Sequence, residues 1–226
     1  MLTEPRKPSI VAVIASPEDL SKSMLLSAAI VEFCELRIDL LHQFSIDLWA
    51  LSEALPLPKI VTVRDPIEGG AASLTENIRL DLLEQWLPKS TYIDIELRNL
   101  NRFSHLVERA ELMGKGIIVS FHDFNGTPAL KELEGKLQQA QITQDRIFKV
   151  ATCVSQWSDV VTLVNLLEKN RNLRIATMGM GELGKLSRII LARMGSCLLY
   201  GALGQAVAPG QWSVEKLKEI LSGLWD

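Results

Sequence analysis

Eight short apolar runs rich in β-branched residues recur along this chain and alternate with longer amphipathic segments. The runs occupy residues 9–15, 32–40, 59–65, 91–97, 116–123, 147–152, 173–178 and 196–203. Their length and composition favour strands over helices. Between them, apolar residues recur at helical spacing, as over 74–86, 130–140, 158–169 and 214–224, and Thr127 and Pro128 predict a helix start. Strands that alternate with helices predict a parallel sheet covered by helices.

A closed barrel is the arrangement that best accommodates this alternation. Eight strand–helix pairs in 226 residues come close to the usual size of a (β/α)8 barrel. An open doubly wound sheet is the alternative, but no Gly-x-Gly-x-x-Gly turn follows the first run, where a dinucleotide-binding open sheet carries one. Since no linker or low-complexity stretch interrupts the pattern, the sequence predicts an α/β fold, a (β/α)8 TIM barrel, as a single domain over residues 1–226.

Composition restricts the class of partner and the compartment. A net charge of -3 provides no broad basic surface for DNA or RNA, so we expect no nucleic-acid partner. The uncharged stretch 194–214 is interrupted by glycine and proline and predicts a buried strand with its loop rather than a membrane span. Cys34, Cys153 and Cys197 are widely spaced, which favours reduced thiols and a cytoplasmic protein.

Charged residues lie inside several of the predicted strands, although a parallel strand covered on both faces is normally apolar throughout. They are Glu35, Arg37 and Asp39 in the second run, Arg64 in the third, Asp94 and Glu96 in the fourth, and Lys149 in the sixth. Side chains alternate between the two faces of a strand, and helices cover the outside of a barrel. We therefore expect the charged faces to point inward. Because buried charges are costly unless they are paired or used, the cluster predicts an active site.

Two of the residues in or beside this cluster suggest its chemistry. The amine of a buried lysine such as Lys149 can attack a carbonyl once it has lost its proton. His122 ends the fifth run, where barrel enzymes place catalytic groups, and an imidazole transfers protons near neutral pH. The sequence around His122 has no second histidine or cysteine at metal-ligand spacing, so we predict no metal site.

The arginines and glycines near the strand ends suggest the substrate. Arg64 and Arg188 offer planar guanidinium groups that bind carboxylates through two hydrogen bonds. Glycines at 69, 70, 179, 181 and 184 predict flexible loops at the mouth of the barrel, and such loops also bind phosphate. The residues alone thus predict a small acid with a ketone that is processed through an imine. They leave open a class I aldolase, which would break a C–C bond, and a barrel that only binds a ligand.

Seven motifs, in order from about residue 9 to the C-terminus, resemble the type I 3-dehydroquinate dehydratases of the shikimate pathway. The motifs are ELRID (35–39), VTVRDPIEGG (61–70), YIDIEL (92–97), IIVSFHDF (117–124), IFKVAT (147–152), MGMGELGKLSR (178–188) and AVAPGQ (206–211). The resemblance implies a (β/α)8 barrel, homodimeric, that converts 3-dehydroquinate to 3-dehydroshikimate by loss of water without a cofactor or metal. Some members are fused to a shikimate dehydrogenase, so the chain is predicted to be a free enzyme or a domain of such a fusion.

The resemblance also implies roles for individual residues. By the match, Lys149 forms the imine with the substrate ketone and His122 is the general acid and base. The other implied site residues are Glu35, Arg37, Arg64 and Glu68 for the substrate's polar groups, Arg188 for its carboxylate, Met180 and Gln211 for the pocket wall, and Glu96 and Asp123 for orienting Lys149 or His122.

Two positions depart from the family pattern. Val207 stands where the family commonly has a serine, so a hydroxyl that usually meets the substrate is missing. Gly179 stands where the family has a serine before Met180, from which we expect a looser loop.

Overall fold

The computed structural model describes residues 6–44 and 47–225, apart from the side chain of residue 51. Its strands are β1 (Ser9–Ile14), β2 (Phe33–Arg37), β3 (Lys59–Thr62), β4 (Tyr92–Glu96), β5 (Gly116–Asp123), β6 (Arg146–Cys153), β7 (Ile175–Met180), β8 (Leu198–Ala202) and β9 (Trp212–Ser213). Its helices are α1 (Pro17–Ser23), α2 (Ile38–Leu41), α3 (Leu48–Ala54), α4 (Glu76–Trp86), α5 (Ser104–Leu112), α6 (Leu130–Gln139), α7 (Trp157–Lys169), α8 (Gly184–Arg193) and α9 (Val214–Trp225). Each predicted run overlaps one of the first eight strands.

The strands form one parallel sheet that curls into a barrel. Their order is β7-β6-β5-β4-β3-β2-β1-β8-β9, so β1 pairs with β2 on one edge and with β8 on the other. At the seam between β7 and β8, the amide of Cys197 donates to the carbonyl of Ile175 over 2.8 Å. The Ser196 hydroxyl accepts from the amide of Thr177 over 2.9 Å. The predicted (β/α)8 barrel is confirmed.

The short strand β9 was not predicted. It pairs with β8 at Gly201 and Ala202, on the edge that β1 leaves free, because a strand has only two hydrogen-bonding edges. It therefore fills the mouth end of the seam. The residue before it, Gln211, is thereby held at the mouth.

Two local predictions meet different outcomes. The uncharged stretch 194–214 contains the expected strand, β8, and its loop, followed by the unpredicted β9. No helix within the described residues is long and apolar enough to span a membrane. The predicted helix start at Thr127 is wrong, because α6 begins at Leu130. The Thr127 hydroxyl instead donates to the carbonyl of Cys153 over 2.8 Å and ties the preceding loop to the end of β6.

The interior wall of the barrel has two halves. Strands β7, β8 and β1 contribute apolar side chains, among them Met178, Tyr200 and Val13. Strands β2 to β6 and the residues that follow them contribute buried polar and charged side chains: Glu35, Arg37, Thr62, Arg64, Asp94, Glu96, Ser120 and Lys149. The predicted inward direction of the charged faces is therefore confirmed, except that Asp39 lies in α2 because β2 ends at Arg37.

The domain prediction reaches beyond the described residues. All the described strands belong to one sheet. The limits 1–226 include residues 1–5, 45–46 and 226, which lie outside the described chain, so these limits stay a prediction.

Candidate active site

Lys149 projects from the middle of β6 into the barrel, where it is 4% exposed. Its Nζ lies 2.8 Å from Oδ2 of Asp94 and 3.4 Å from Oε1 of Glu35. The nearest charged partners are thus the two carboxylates. Two carboxylates at this distance stabilise positive charge on the nitrogen.

Asp94, a member of the predicted charged cluster to which no role was assigned, connects Lys149 to the rest of the polar wall. Its Oδ1 accepts from the Ser120 hydroxyl over 2.6 Å and lies 2.9 Å from the Arg64 guanidinium. Burial opposes ionisation, but the charges of Arg64 and Lys149 outweigh it and hold the pKa of Asp94 well below its usual range. Asp94 is therefore a permanent carboxylate beside the amine.

Glu96 lies behind Arg64 and not against Lys149 or His122. Its Oε1 accepts from Nη1 of Arg64 over 2.8 Å and from the amide of Asp65 over 2.9 Å. Its Oε2 accepts from Arg79, a fully buried residue of α4 whose Nη1 also reaches Asp65 over 3.1 Å. This carboxylate therefore fixes Arg64, which in turn holds Asp94. Sequence reasoning missed Arg79, because one arginine in an amphipathic helix normally faces solvent.

His122 forms a pair with Glu68. Nδ1 of His122 lies 2.8 Å from Oε2 of Glu68, and the His122 amide donates to the same oxygen over 3.0 Å. Glu68 ends the 3₁₀ turn Pro66–Glu68, which Gly69 terminates in the left-handed region at a φ of 88°. The partner that orients the imidazole is thus Glu68. Asp123 accepts from the amides of Asn125 and Gly126 and shapes the loop after β5.

The environment moves the pKa values of this pair in opposite directions. Burial, together with the charges of Arg64 and Lys149, lowers the pKa of His122 well below its usual value. Burial raises the pKa of Glu68 to about 7. His122 is therefore neutral near pH 7, while Glu68 gains or loses its proton there. Such a pair can move a proton in either direction.

Arg188 lies in α8 and is 2% exposed. Its Nε donates to the carbonyl of Gly179 over 3.0 Å, and it has no carboxylate partner within the described chain. Burial lowers its pKa to about 10, which leaves it charged at neutral pH. A buried and unpaired guanidinium at the wall of a cavity is suited to bind an anion.

Gly179 does not loosen this region. It lies inside β7, and a Cβ there would come within 2.1 Å of the Ser187 Oγ and 2.5 Å of the Val154 Cγ2. Glycine therefore lets α8 pack directly on β7 and brings Arg188 to the site. The predicted looser loop is wrong.

A cavity of about 250 Å³ lies at the carboxyl ends of the strands and brings most of the predicted residues together. It is lined by Lys149, His122, Glu35, Arg37, Arg64, Glu68, Met180, Arg188 and Gln211, and also by Val13, Gly69, Phe124, Ala151, Met178, Tyr200, Val207 and Ala208. Arg37 is held by Asp39 through two hydrogen bonds of 3.0 and 2.7 Å. Glu96 and Asp123 do not line it. Among the described residues, no group of three or more His, Cys, Asp or Glu side chains could hold a metal ion.

Residues 10–224 match the family model of the type I 3-dehydroquinases.

The chain belongs to the type I 3-dehydroquinase family.

Related proteins agree with this type I 3-dehydroquinase assignment. The chain is 37% identical over 204 residues to a 3-dehydroquinate dehydratase of Methanococcus maripaludis strain C6, covering 89% of this chain and 90% of that protein. It is 33% identical, over an alignment of 231 positions, to a 3-dehydroquinate dehydratase of Staphylococcus epidermidis strain RP62A. That alignment covers 94% of this chain and 96% of that protein. A crystal structure of a type I 3-dehydroquinate dehydratase from Clostridium difficile, with covalently modified comenic acid, matches with a TM-score of 0.86. That match has 25% identity and covers 99% of this chain and 95% of that chain.

The predicted family and enzyme class, a hydro-lyase, are thereby confirmed. Within this type I 3-dehydroquinase, Tyr200 is the residue at the amine that the sequence did not indicate, and Asp94 is a member of the predicted charged cluster to which no role of its own was assigned. The alternation that marked Glu96 also marked Asp94, whereas Tyr200 resembles an ordinary core residue of an apolar strand.

Proposed function

We propose that this type I 3-dehydroquinase removes water from 3-dehydroquinate to give 3-dehydroshikimate through an imine on Lys149. The proposal rests on one observation: a single cavity holds the buried amine of Lys149, the neutral imidazole of His122 and the unpaired guanidinium of Arg188. The covalently modified ligand in the Clostridium difficile relative supports covalent chemistry.

The two halves of the barrel wall suit a small hydroxylated keto acid. Arg188 offers a charged donor for the carboxylate, and Met180 and Gln211 line the wall nearby. Glu35 and Arg37 lie on the polar half and can bind hydroxyl groups. The Gln211 side chain accepts from the amide of Val207 over 3.1 Å, which fixes this loop although residue 207 has no hydroxyl of its own.

The first chemical step joins the substrate to Lys149. The ammonium gives up a proton to His122 or to water, and its lone pair forms a C–N bond to the ketone carbon. The carbonyl oxygen takes up protons and leaves as water, which produces an iminium. Asp94 and Glu35, already beside the nitrogen, stabilise that positive charge.

The second step eliminates water from the substrate. The iminium accepts the electron pair of a neighbouring C–H bond while Nε2 of His122 takes the proton, which gives a neutral enamine. His122 then protonates the leaving hydroxyl. The nitrogen lone pair re-forms the C=N bond, the enamine π electrons form the new C=C bond, and the C–O bond breaks as water leaves. Water adds to the new iminium and releases 3-dehydroshikimate and Lys149. Glu68 supports both directions of transfer through its hydrogen bond to Nδ1.

Reductive trapping tests this proposal. The protein is mixed with 3-dehydroquinate and borohydride, and its intact mass and peptide map are measured. We expect one stable adduct on Lys149, none in Lys149→Met, and an undiminished adduct in Lys115→Met, which removes an amine outside the cavity. A folded wild-type protein without an adduct would overturn the proposal. An adduct formed only with a sugar-phosphate ketone would favour the aldolase reading.

We also propose a homodimer. Trp157 and Val161 lie four residues apart on α7 and are 56% and 54% exposed, which leaves an apolar face on that helix. Sedimentation velocity at micromolar concentration should give about twice the 25.1 kDa chain mass, and a monomer would contradict the proposal.

The cytoplasmic location and a fusion to a shikimate dehydrogenase stay predictions.

A further inference from the structure

The amine of Lys149 faces an aromatic ring as well as two carboxylates. Nζ lies 4.4 Å from the centroid of the Tyr200 ring, well inside the distance of about 6 Å at which a cation is attracted to a π face. Tyr200 comes from β8 and is 4% exposed. A desolvated contact of this kind is stronger than one at the protein surface.

The Tyr200 hydroxyl takes no part in the polar network. Its oxygen is buried without a hydrogen-bond partner in the described part of the chain. Burial, reinforced by the negative charges of Glu35 and Asp94, raises the pKa of this phenol well above its usual value. The ring is therefore neutral, and it is the ring, not the hydroxyl, that contacts the amine.

The carboxylates next to the nitrogen are shared with other donors. Glu35 also accepts from the Thr62 hydroxyl over 2.8 Å, and Asp94 also binds Arg64 and Ser120. Each neighbouring strand contributes side chains to the interior around the amine. The polar and charged ones are Glu35 of β2, Thr62 and Arg64 at β3, Asp94 of β4, and Ser120 and His122 of β5. The apolar and aromatic ones are Val13 of β1, Ala176 and Met178 of β7, and Tyr200 of β8. On the apolar half of the wall, the Tyr200 ring is the group that can stabilise a cation.

We infer that the Tyr200 ring is a catalytic group that stabilises positive charge on the Lys149 nitrogen and so keeps the covalent intermediate an iminium. The inference rests on the imine proposed above. A neutral imine is a weak electron acceptor, whereas an iminium accepts the electrons of the neighbouring C–H bond. Without the ring, the intermediate loses its proton at lower pH, and a smaller fraction of it activates the C–H bond.

The test measures the pH at which the intermediate loses its charge. Full-length wild type, Tyr200→Phe and Tyr200→Leu are loaded with 3-dehydroquinate, moved rapidly to pH values from 7 to 10, and pulsed with cyanoborohydride, which reduces the iminium selectively. The trapped mass is then plotted against pH. We expect the midpoint to fall by about one pH unit in Tyr200→Leu, and Tyr200→Phe to restore most of that shift. The His122–Glu68 pair is unchanged in all three proteins.

Tyr92→Leu is the matched control. Tyr92 lies in the same barrel at the N-terminal end of β4, stacks edge-on against Phe33 at 5.7 Å, and accepts from Arg174. Its loss removes an interior aromatic ring without touching the amine. We expect a lower midpoint of unfolding by urea and the wild-type trapping midpoint.

The outcomes separate the inference from the proposed function. Absence of an adduct in wild type overturns the imine itself. A normal adduct with equal midpoints in wild type and Tyr200→Leu overturns the role of the ring. If Tyr200→Leu does not fold, the same trapping experiment is made with a series of fluorinated phenylalanines at position 200. Fluorine reduces the negative charge on the face of the ring while the shape of the side chain stays nearly constant. A stepwise fall of the midpoint supports the role, and a constant midpoint overturns it.

Discussion

Arg79 and Arg188 are equally buried, but within the described chain only Arg79 is paired with carboxylates. Arg79 is 1% exposed and forms ion pairs with Asp65 and Glu96. Arg188 is 2% exposed, and no carboxylate of the described residues pairs with it. Removing one partner of a buried pair leaves the other charge uncompensated, whereas removing an unpaired buried charge relieves a desolvation cost. The charge of Arg188 therefore lowers the stability of the fold, although the proposed binding of the substrate carboxylate requires it.

Replacing each arginine with methionine should show this difference. We expect Arg188→Met to raise the free energy of unfolding by about 1–3 kcal/mol and Arg79→Met to lower it by about 3–5 kcal/mol. If Arg188 binds the substrate carboxylate as proposed, Arg188→Met should also raise KM for 3-dehydroquinate, because that carboxylate loses its donor. Urea denaturation and steady-state kinetics measure both effects. Equal destabilisation by the two changes would contradict the unpaired state of Arg188.

The pair of His122 and Glu68 predicts the pH dependence of the reaction. When Glu68 is ionised it accepts the Nδ1 proton, and Nε2 is free to act as a base. As the pH falls through the Glu68 pKa of about 7, protonated Glu68 donates to Nδ1 and Nε2 carries the hydrogen. We therefore expect kcat/KM to fall below pH 7 in wild type. Glu68→Gln should lower kcat/KM about 10- to 100-fold and abolish the titration near pH 7.

The control for this experiment is Glu182→Gln, which makes the same change in charge at an exposed position. Its pH profile should match that of wild type. An acid limb near pH 7 that survives in Glu68→Gln would assign the titration to another group.

The roles of some residues could not be derived from the sequence. Asp94 and Glu96 share one face of one strand, so alternation marks both equally. The register between neighbouring strands of the barrel decides which of them contacts Lys149. Asp94 binds the Lys149 amine, whereas Glu96, two residues closer to the carboxyl end of β4, binds Arg64. Glu68 meets His122 across a separation of 54 residues through a 3₁₀ turn, and no local pattern encodes that contact. By contrast, the position of His122 at a strand end was sufficient to place it at the mouth.

At the scale of elements, the packing of α8 against β7 decides where Arg188 stands. A Cβ at Gly179 would overlap the Ser187 Oγ, so Gly179→Ala must push the helix outward. We expect the free energy of unfolding to fall by about 1–3 kcal/mol and KM to rise more than kcat falls. Gly135→Ala in α6, where a Cβ meets no atom within 4 Å, should instead stabilise by about 0.5–1 kcal/mol.

Denaturation and kinetics on both glycine variants check this prediction. If Gly179→Ala leaves KM as it is, α8 can accommodate the methyl group without moving Arg188.

The elements themselves were largely predictable because their patterns are local. Eight strands were predicted, since each is a β-branched run long enough to show its composition. The strand β9 has two residues and exists only through its pairing with β8, so no composition can indicate it. The start of α6 was misplaced because Thr127, a typical capping residue, uses its hydroxyl for a contact with β6.

At the scale of the whole molecule, the barrel closes at its seam through Ser196. Its buried hydroxyl accepts from the Thr177 amide over 2.9 Å and lies 3.2 Å from the carbonyls of Thr177 and Leu198. Ser196→Ala leaves a buried amide unpaired, and we expect a loss of about 1–3 kcal/mol. Hydrogen exchange at the Thr177 amide should become faster. Ser21→Ala, which removes an exposed hydroxyl bond to Pro17, is the control, and an equal loss there would contradict the role of the seam.

The position of β1 between β2 and β8 governs how the chain can be made. During synthesis β1 emerges before the other described strands, while its partner at residues 198–202 emerges only after β2 to β7. Until then SIVAVI presents a bare apolar edge that can join a neighbouring nascent chain. Loop closure over nearly the whole sequence also slows the final step. Ribosomes that release unfinished chains therefore release aggregation-prone ones, and a yield that improves with slower expression or with chaperones follows from the barrel's own topology.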